Sequence, residues 1–524
     1  SSMIVGERVV SAFLPFPVEL VNGLPQSVCV HAADGTVLRV FATVDDERVI
    51  PVPLTSMSSH LRTAVLRQED ERFYSHCGVD LIAGGRAALQ NLRGGRVVSG
   101  ASTITMQVVR VLMPGSPRSF GFKLVQVFRA RQLERLLSKD EILELYLNHV
   151  PLGGAVRGFE AAARRWFGVG AAALTASQAA TLVAMLPAPS YRSPRRRPEL
   201  LRRLRDRLLD RMSEAGDLIS TEFNAAAAKP LGMKRRPWPY LAPHAVLYLA
   251  GRSRDPVLRS QLDLPLQQAL ESLAARHDTR TSDALAIVVL DRKSGALCAM
   301  IGSPDFAHIQ LNTATCSRSL GSTLKPFLYA LAMEQGVVPV DGMIDDRPWR
   351  FGDYRPANFS RDYIGSVRVG EALATSRNLP ALRLLEGVTT DGFASLLHGL
   401  GLPSPRRDPG LTAALGTGAA SPLRLAEAYR IFVEFPERLG LRRATVTRIL
   451  DALSVQPIVR GAELGRLAWK TGTSSGRRDA WCVGVDQDSV AVVWMGNLGG
   501  RGEPGLVGAK SAARLLARVV SSRR

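Results

Sequence analysis

Long apolar runs are missing from this sequence of 524 residues. The stretch Val9 to Val18 falls well short of the roughly 20 residues a membrane-spanning helix needs, and it contains Pro15 and Pro17. A second stretch, Trp166 to Tyr191, carries no charge, but it holds Thr175, Ser177, Gln178, Thr181, Pro187 and Pro189. Thr175 followed three residues later by Gln178 is a capping box, which predicts a short buried helix to about Leu186 rather than a span. Cysteine is scarce and odd in number: Cys29, Cys77, Cys298, Cys316 and Cys482. No CxxC or Cys/His ligand spacing occurs, which excludes a structural zinc site, and so sparse a set makes no disulfide framework. Cys298 and Cys482 lie in apolar, strand-like runs and are expected in the core. Acidic residues are in deficit, 47 against 67 Lys and Arg, giving a formal charge of +20. That surplus attracts polyanions: nucleic acid, anionic lipid headgroups or a phosphorylated substrate. Hydrophobic residues at 46% and charged residues at 22% are ordinary for globular chains, and the length suggests about three units.

Residues 26–50 alternate like short strands around Asp34-Gly35, a hairpin signal. From Leu54 to about Met212 the apolar spacing is helical, and Ser138 with Glu141 caps a helix inside SKDEILELYLN. Arg192 to Arg211 contains nine arginines, a pattern that fits a solvated helix face as well as contact with anionic lipid headgroups. A mixed segment at 219–283, with KPLGMKRRPWPYLAP, reads as a linker. Beyond it ALAIVVLD and ALCAMIG predict strands around the Arg292–Gly295 turn, helices are expected at 326–336, 366–386, 391–400 and 422–434, and WCVGVD and VAVVWMGN predict further strands before a closing helix at 506–520. The organisation expected is an N-terminal segment with short strands (1–50), a mostly α domain (51–218), the linker (219–283) and an α/β domain (284–524) whose antiparallel sheet is covered by helices.

Three strings in the last region fit one reaction. GSTLKPF places Ser322 three residues before Lys325, so on a helix they share a face. A serine hydroxyl needs a base to become a nucleophile, and a desolvated lysine can be that base. Ser376-Arg377-Asn378, in a stretch read as helical, offers a hydroxyl to relay protons and an amide to hold a carbonyl. Lys470-Thr471-Gly472-Thr473 adds a cation for a carboxylate, two hydroxyls and a glycine that lets a ligand approach the backbone. Each string alone is weak; the three in order, about 50 and about 90 residues apart, are specific. Together they resemble the penicillin-binding protein and serine β-lactamase superfamily over roughly 284–524. The resemblance implies that Ser322 attacks a D-Ala-D-Ala peptide end, with Ser322 and Thr473 N–H groups as the oxyanion hole, and that β-lactams acylate Ser322. No Glu-x-x-x-Asn string supplies the water-activating base a β-lactamase requires.

A second constellation lies upstream. Glu69-Asp70-Glu71-Arg72-Phe73-Tyr74-Ser75-His76-Cys77-Gly78 precedes GASTITMQ (100–107), SKDEILELYLN (138–148), GFEAAARRWFG (158–168) and LPAPSYRSP (186–194). This series resembles glycosyltransferase family 51 over about 45–215, which implies a lysozyme-like, mostly α fold. Joined to the downstream motifs it is similar to the class A bifunctional penicillin-binding proteins. By that resemblance Glu69 deprotonates an acceptor sugar hydroxyl. Asp70, Phe73, His76, Ser102, Thr103 and Gln107 belong to the substrate cleft, and Arg110, Arg118 and Lys123 meet the departing pyrophosphate. Three positions depart from the family pattern: Gln126 stands where a glutamate is usual, Arg110 where lysine is commoner and Val111 where asparagine is. No cofactor follows from the residues; the resemblance leaves room for a divalent cation, Mg or Mn, in the glycosyl transfer.

The reading is a bifunctional peptidoglycan synthase that polymerises lipid II into nascent glycan and cross-links D-Ala-D-Ala stem peptides. Two rivals stand beside it: a transpeptidase whose polymerase half is weakened by Gln126, and a β-lactam- or muropeptide-binding sensor or scaffold without turnover. The family relation also implies phosphoglycolipid inhibitors at the polymerase cleft and no nucleic acid. It further implies a membrane surface on the outer, periplasmic face of the bacterial cytoplasmic membrane, with an anchor helix outside these residues and Phe13 to Val21 as a juxtamembrane stub.

Overall fold

In the computed structural model, residues 15–85, 102–117, 119–277, 281–350, 355–403, 414–416, 418–455 and 466–523 are described. The chain divides into two compact units. One takes the residues up to Cys29, Arg39–Pro239 and Asp255–Val257; the other takes Val30–Leu38, Tyr240–Arg254 and Leu258–Arg524.

Helices build the first unit: α1 (Ser59–Glu69), α2 (Ile104–Leu112), α3 (Phe120–Leu136), α4 (Lys139–His149), α5 (Phe159–Phe167), α6 (Ala176–Met185) and α7 (Pro198–Glu214). Both expected capping boxes form, Ser138 with Glu141 at the start of α4 and Thr175 with Gln178 at the start of α6. Helix α6 is apolar nearly all round and sits in the core against α1 and α7, which explains a long uncharged stretch that does not span a membrane. Among the described residues no helix is long and apolar enough to do so. Arg205 on α7 is fully buried, and its guanidinium donates to Asp206 (2.7 Å), Ser177 Oγ (3.3 Å) and the Lys229 carbonyl (2.6 Å). Its charge therefore ties α7 to the segment that follows rather than facing solvent. The stretch read as a linker is shared between the units: Ala226 belongs to the first core, and Leu266, Leu270 and Ala274 to the second.

The hairpin around Asp34-Gly35 forms between Cys29–His31 and Val37–Val40, with the Thr36 amide donating to Asp34 Oδ1 at 2.8 Å. The second unit is organised by a five-stranded antiparallel sheet of β1 (Ala284–Asp291), β2 (Leu297–Ile301), β3 (Ala468–Thr473), β4 (Asp479–Val485) and β5 (Ser489–Gly496), in the order β3-β4-β5-β1-β2. On β1, Leu285, Ile287 and Val289 face a core shared with α8 (Leu264–Ala275) and α14 (Ala512–Ser521). The opposite face is covered by α12 (Pro422–Glu434), which is why these strands read as unbroken apolar runs rather than alternating ones. Further helices of this unit are α9 (Lys325–Glu334), α10 (Val369–Ala374), α11 (Asn378–Val388) and α13 (Arg443–Ser454), together with Pro243–Ala250 and Thr390–Gly399, the last where the sequence puts a helix at 391–400.

Two expected elements differ. The closing helix begins at Ala512 rather than 506, because 506–511 run as turns. The helix expected over 366–386 is broken: α10 ends at Ala374, α11 starts at Asn378, and between them Ser376 is left-handed with φ +61°. A non-glycine residue there costs roughly 1–2 kcal/mol and must be held by its surroundings.

Leu516 on α14 has no exposed surface. Leu516→Ala is expected to destabilise the second unit by about 2–5 kcal/mol, read as a lower urea midpoint for its transition. A loss below about 1 kcal/mol would show that α14 is not part of the sheet core.

Candidate active sites

In the second unit, a cleft of about 760 Å³ is lined by Ser322, Ser376, Asn378, Thr471, Gly472 and Thr473, so the three distant strings converge. The expected shared face of one helix is replaced by something tighter. Ser322 lies in a 3₁₀ turn, Gly321–Leu324, that runs directly into α9, whose first residue is Lys325. The turn is clamped from behind: Trp481 Nε1 donates to the Ser319 carbonyl and Tyr429 OH to the Thr323 carbonyl, each at 2.7 Å. Strand β3 lies against it with no room to spare. A Cβ on Gly472 would meet the Leu320 carbonyl at 2.6 Å, and one on Gly321, where φ is +54°, would meet the Thr473 carbonyl at 2.7 Å.

Two buried amines sit beneath the hydroxyls. Lys325 is fully buried, and its Nζ donates to the carbonyls of Ser376 (2.7 Å) and Arg377 (3.0 Å) and to Asn378 Oδ1 (2.8 Å). Burial, reinforced by the charge of Lys470, holds its pKa well below the ordinary lysine value. Lys470 is 2% exposed and donates to Ser376 Oγ (2.7 Å) and its neighbour's carbonyl at Thr471 (2.8 Å), with burial bringing its pKa down to about 7. Ser376 thus lies between the amines, bonded to one through its carbonyl and to the other through its hydroxyl. Thr473 Oγ1 accepts the Gly508 amide at 3.1 Å. Arg477, Glu503 and Lys510 also line the cleft; no motif marked them in the sequence.

In the first unit Glu69 closes α1. Gln107 on α2 donates from Nε2 to Glu69 Oε2 at 2.9 Å, and Tyr146 on α4 donates to Gln107 Oε1 at 3.1 Å, which fixes the amide so that its N–H points at the carboxylate. Burial raises the Glu69 pKa, opposed by the Gln107 hydrogen bond and the Arg192 charge. Ser102 borders two small clefts. One, about 160 Å³, holds Glu69, Asp70 and Thr103; the other, about 280 Å³, holds Gln107, Arg110, Lys123 and Gln126. Lys123 donates to Ser102 Oγ, and burial together with the Arg110 charge lowers its pKa. Arg118 lies outside the described residues.

Three expected binding residues are turned inward. Phe73 has no exposed surface and packs under Lys139, whose Nζ is 4.3 Å from the ring centroid. Asp70 accepts the Ile104 amide at 3.0 Å, at the start of α2, and meets His76 Nε2 at 3.0 Å. Asp70, with His76 on it, sets where α2 begins, and Thr103 does the same by capping it while donating to the Gly78 carbonyl at 2.6 Å. The nine-arginine stretch is likewise divided: Arg205 is buried, and Arg192 donates to the Ala184 carbonyl at 2.9 Å while its charge reaches Glu69. For a divalent cation the donor set is a poor fit. Both Asp70 oxygens are engaged, Gln126 offers an amide, and the nearest polar neighbours in that cleft are cations.

Comparison with known proteins agrees with this geometry. Residues 34–213 match the Transglycosylase family, and 285–443 match the family described as the penicillin binding protein transpeptidase domain. The chain is 37% identical to penicillin-binding protein 1C of Escherichia coli over 96% of its length and 69% of that protein's. It is 29% identical to penicillin-binding protein 1F of Bacillus subtilis, covering 87% of this chain and 71% of that one. In fold it matches the crystal structure of penicillin-binding protein 1A from Haemophilus influenzae, with a TM-score of 0.55 at 18% identity, covering 95% and 92% of the two chains. With both motif sets gathered into separate clefts, and with the extent of these matches, the chain belongs to the class A bifunctional penicillin-binding proteins, peptidoglycan synthases that join a glycosyltransferase and a transpeptidase in one polypeptide.

Proposed function

We propose that Ser322 is the transpeptidase nucleophile and Lys325 its base, with the Ser376 hydroxyl, held by Lys470, passing the proton on to the leaving amine. The observation that carries this is the pair of buried lysines joined through Ser376 beneath the cleft that holds Ser322. An ammonium with three acceptors has no lone pair; the depressed pKa lets Lys325 lose a proton, and rotation about its Cε–Nζ bond turns the freed lone pair toward the serine. Ser322 Oγ then bonds the carbonyl carbon of D-Ala-D-Ala, the C–N bond breaks, and D-Ala leaves carrying the proton returned through Ser376. The amine of a second stem peptide attacks the ester and frees Ser322. Lys470, Thr471 and Thr473 receive the terminal carboxylate, Gly472 lets the peptide lie along β3, Asn378 holds a substrate amide, and β-lactams enter by the same route. The N–H groups of Ser322 and Thr473 form the oxyanion hole, each donor worth roughly 2.7–4 kcal/mol.

In the first unit Glu69 removes the acceptor hydroxyl proton as the new C–O bond forms and the bond to the lipid pyrophosphate breaks. Its raised pKa suits a base working near neutral pH, and Gln107 holds it in aim. Arg110, Arg118 and Lys123 take the pyrophosphate charge, Ser102 and Gln126 line the path of lipid II and of phosphoglycolipid inhibitors, Asp70, His76 and Thr103 act by placing α2, and Phe73 packs beneath Lys139. No step passes through a metal. The substrates place the catalytic units on the outer face of the cytoplasmic membrane. Gln126 favours a second reading, a slower polymerase, because it leaves the 280 Å³ cleft without a second carboxylate.

With labelled lipid II, Glu69→Gln should abolish glycan chains and Ser322→Ala should keep them while losing cross-links; chains made by Glu69→Gln would remove the assignment of the base, and none from the wild type would favour the second reading. The pH profile of acylation by fluorescent penicillin separates the lysines. Acylation should rise with pH as Lys325 deprotonates and fall above about pH 7 as Lys470 loses its charge, the fall disappearing in Lys470→Gln. A rate still climbing at pH 9 in the wild type would rule out the cationic role of Lys470.

A further inference from the structure

The left-handed Ser376 and the two residues after it are held from outside the cleft. Asp346, which has no exposed surface, lies just beyond the short strand Met343–Asp345. Its Oδ2 accepts from Arg377 NH1 at 2.8 Å and the Ile364 amide at 3.2 Å, and its Oδ1 accepts from Asn358 Nδ2 at 2.8 Å. Asn358, 4% exposed, is used on both sides of its amide. Nδ2 also donates to the Asp362 carbonyl at 2.9 Å, while Oδ1 accepts the backbone amides of Asn378 (2.9 Å) and Leu379 (3.4 Å), the first two residues of α11. Asn378 returns a bond from its Nδ2 to the Ala357 carbonyl at 3.0 Å. Arg377 reaches outward as well, to Asp362 Oδ1 at 3.0 Å.

The bonds to Arg377 and Asn378 end on residues that also meet Lys325. The carbonyls of Ser376 and Arg377 and the Oδ1 of Asn378 are the three acceptors of its Nζ. A buried carboxylate and a buried amide with every partner specified are costly to assemble and leave one arrangement of the loop. None of Asp346, Asn358 or Arg377 lies among the residues lining the cleft, so a merely local packing role would leave the chemistry untouched.

We propose that Asp346 and Asn358 are positioning residues for acyl transfer. Acting through Arg377 and the start of α11, they lock Ser376 and Asn378 in place and with them the acceptors that fix Lys325 under Ser322. Without the lock the left-handed turn relaxes toward the helix its sequence favours, and the carbonyl and hydroxyl of Ser376 move away from Lys325 and Lys470. This rests on the transpeptidase roles given above, and the experiment separates the two.

The test uses the full chain and fluorescent penicillin, measuring the acylation rate constant and the non-covalent affinity separately. Wild type should label and Ser322→Ala should not; label on Ser322→Ala would overturn the transpeptidase roles, not the lock alone. With that satisfied, Asp346→Asn and Asn358→Asp, both of the native shape, should lower the rate constant by about ten- to a hundredfold, the scale of an ångström of misplacement. Affinity should change less than about twofold, and lipid II polymerisation by the other unit should stay at the wild-type rate. Asp362→Asn, at the exposed end of the network, should lose less than about threefold. A wild-type rate constant in both variants would overturn the proposal. So would a fall confined to the fraction of protein labelled, since that reports unfolding rather than misplacement. Should Asp346→Asn fail to fold, Arg377→Gln removes the same link from the partly exposed side, and a wild-type rate constant there would be equally decisive.

Discussion

One ammonium organises the transpeptidase unit. Lys325 has no exposed surface, and an unpaired charge at that depth is prohibitively expensive, so the chain must bring three oxygen acceptors to it. All three come from residues 376–378, a loop far away in sequence. Satisfying the lysine therefore fixes the loop, and fixing the loop breaks what would be a continuous helix at Ser376. The same burial that demands these partners weakens the hold of Lys325 on its proton. Structure and reactivity are thus two consequences of one desolvated amine. The sheet edge follows suit: Lys470 finds an acceptor in the Ser376 hydroxyl, with β3 packed against the turn that carries Ser322.

The glycosyltransferase unit solves a milder version of the same problem. Glu69 is only partly withdrawn from water, and two side chains in series, Gln107 and the buried Tyr146, orient it. Burial and the neighbouring charge of Arg110 together lower the pKa of Lys123 in the cleft beside Ser102. Overall charge, which by itself could not distinguish lipid from nucleic acid, becomes interpretable once Arg110 and Lys123 share a cleft with Gln107 and Ser102.

Much of this was legible in the sequence for reasons that can be named. The capping boxes at Ser138 and Thr175 and the apolar runs of the sheet follow from local chemistry, and the structure has them where the pattern puts them. The motif strings named Ser322, Ser376, Asn378 and Thr471 to Thr473 of the larger cleft because each string carries reactive groups in a fixed order. What escaped has physical causes. Nothing in ATSRNLP announces a left-handed serine, because the residue is not a glycine and its conformation is set by contacts from elsewhere. Asp346 and Asn358 resemble ordinary turn residues until the fold sets them beside residue 378. Asp70, Phe73 and His76 sit inside a string full of functional groups, and spacing alone does not say which of them turn inward. Arg205 was one arginine among nine, and its burial depends on carbonyls at 227 and 229.

The contact between the serine turn and the sheet edge also bears on how such an enzyme can change. Where Gly321 and Gly472 meet their neighbours, two hydrogen atoms occupy the space a methyl group would need. The distance from nucleophile to strand is set by the smallest atoms the genetic code provides. A lineage under pressure to admit peptides while refusing drugs has no room to adjust at those two points. Its freedom lies elsewhere in the cleft lining, where Glu503 and Lys510 contribute charged side chains rather than close backbone contacts.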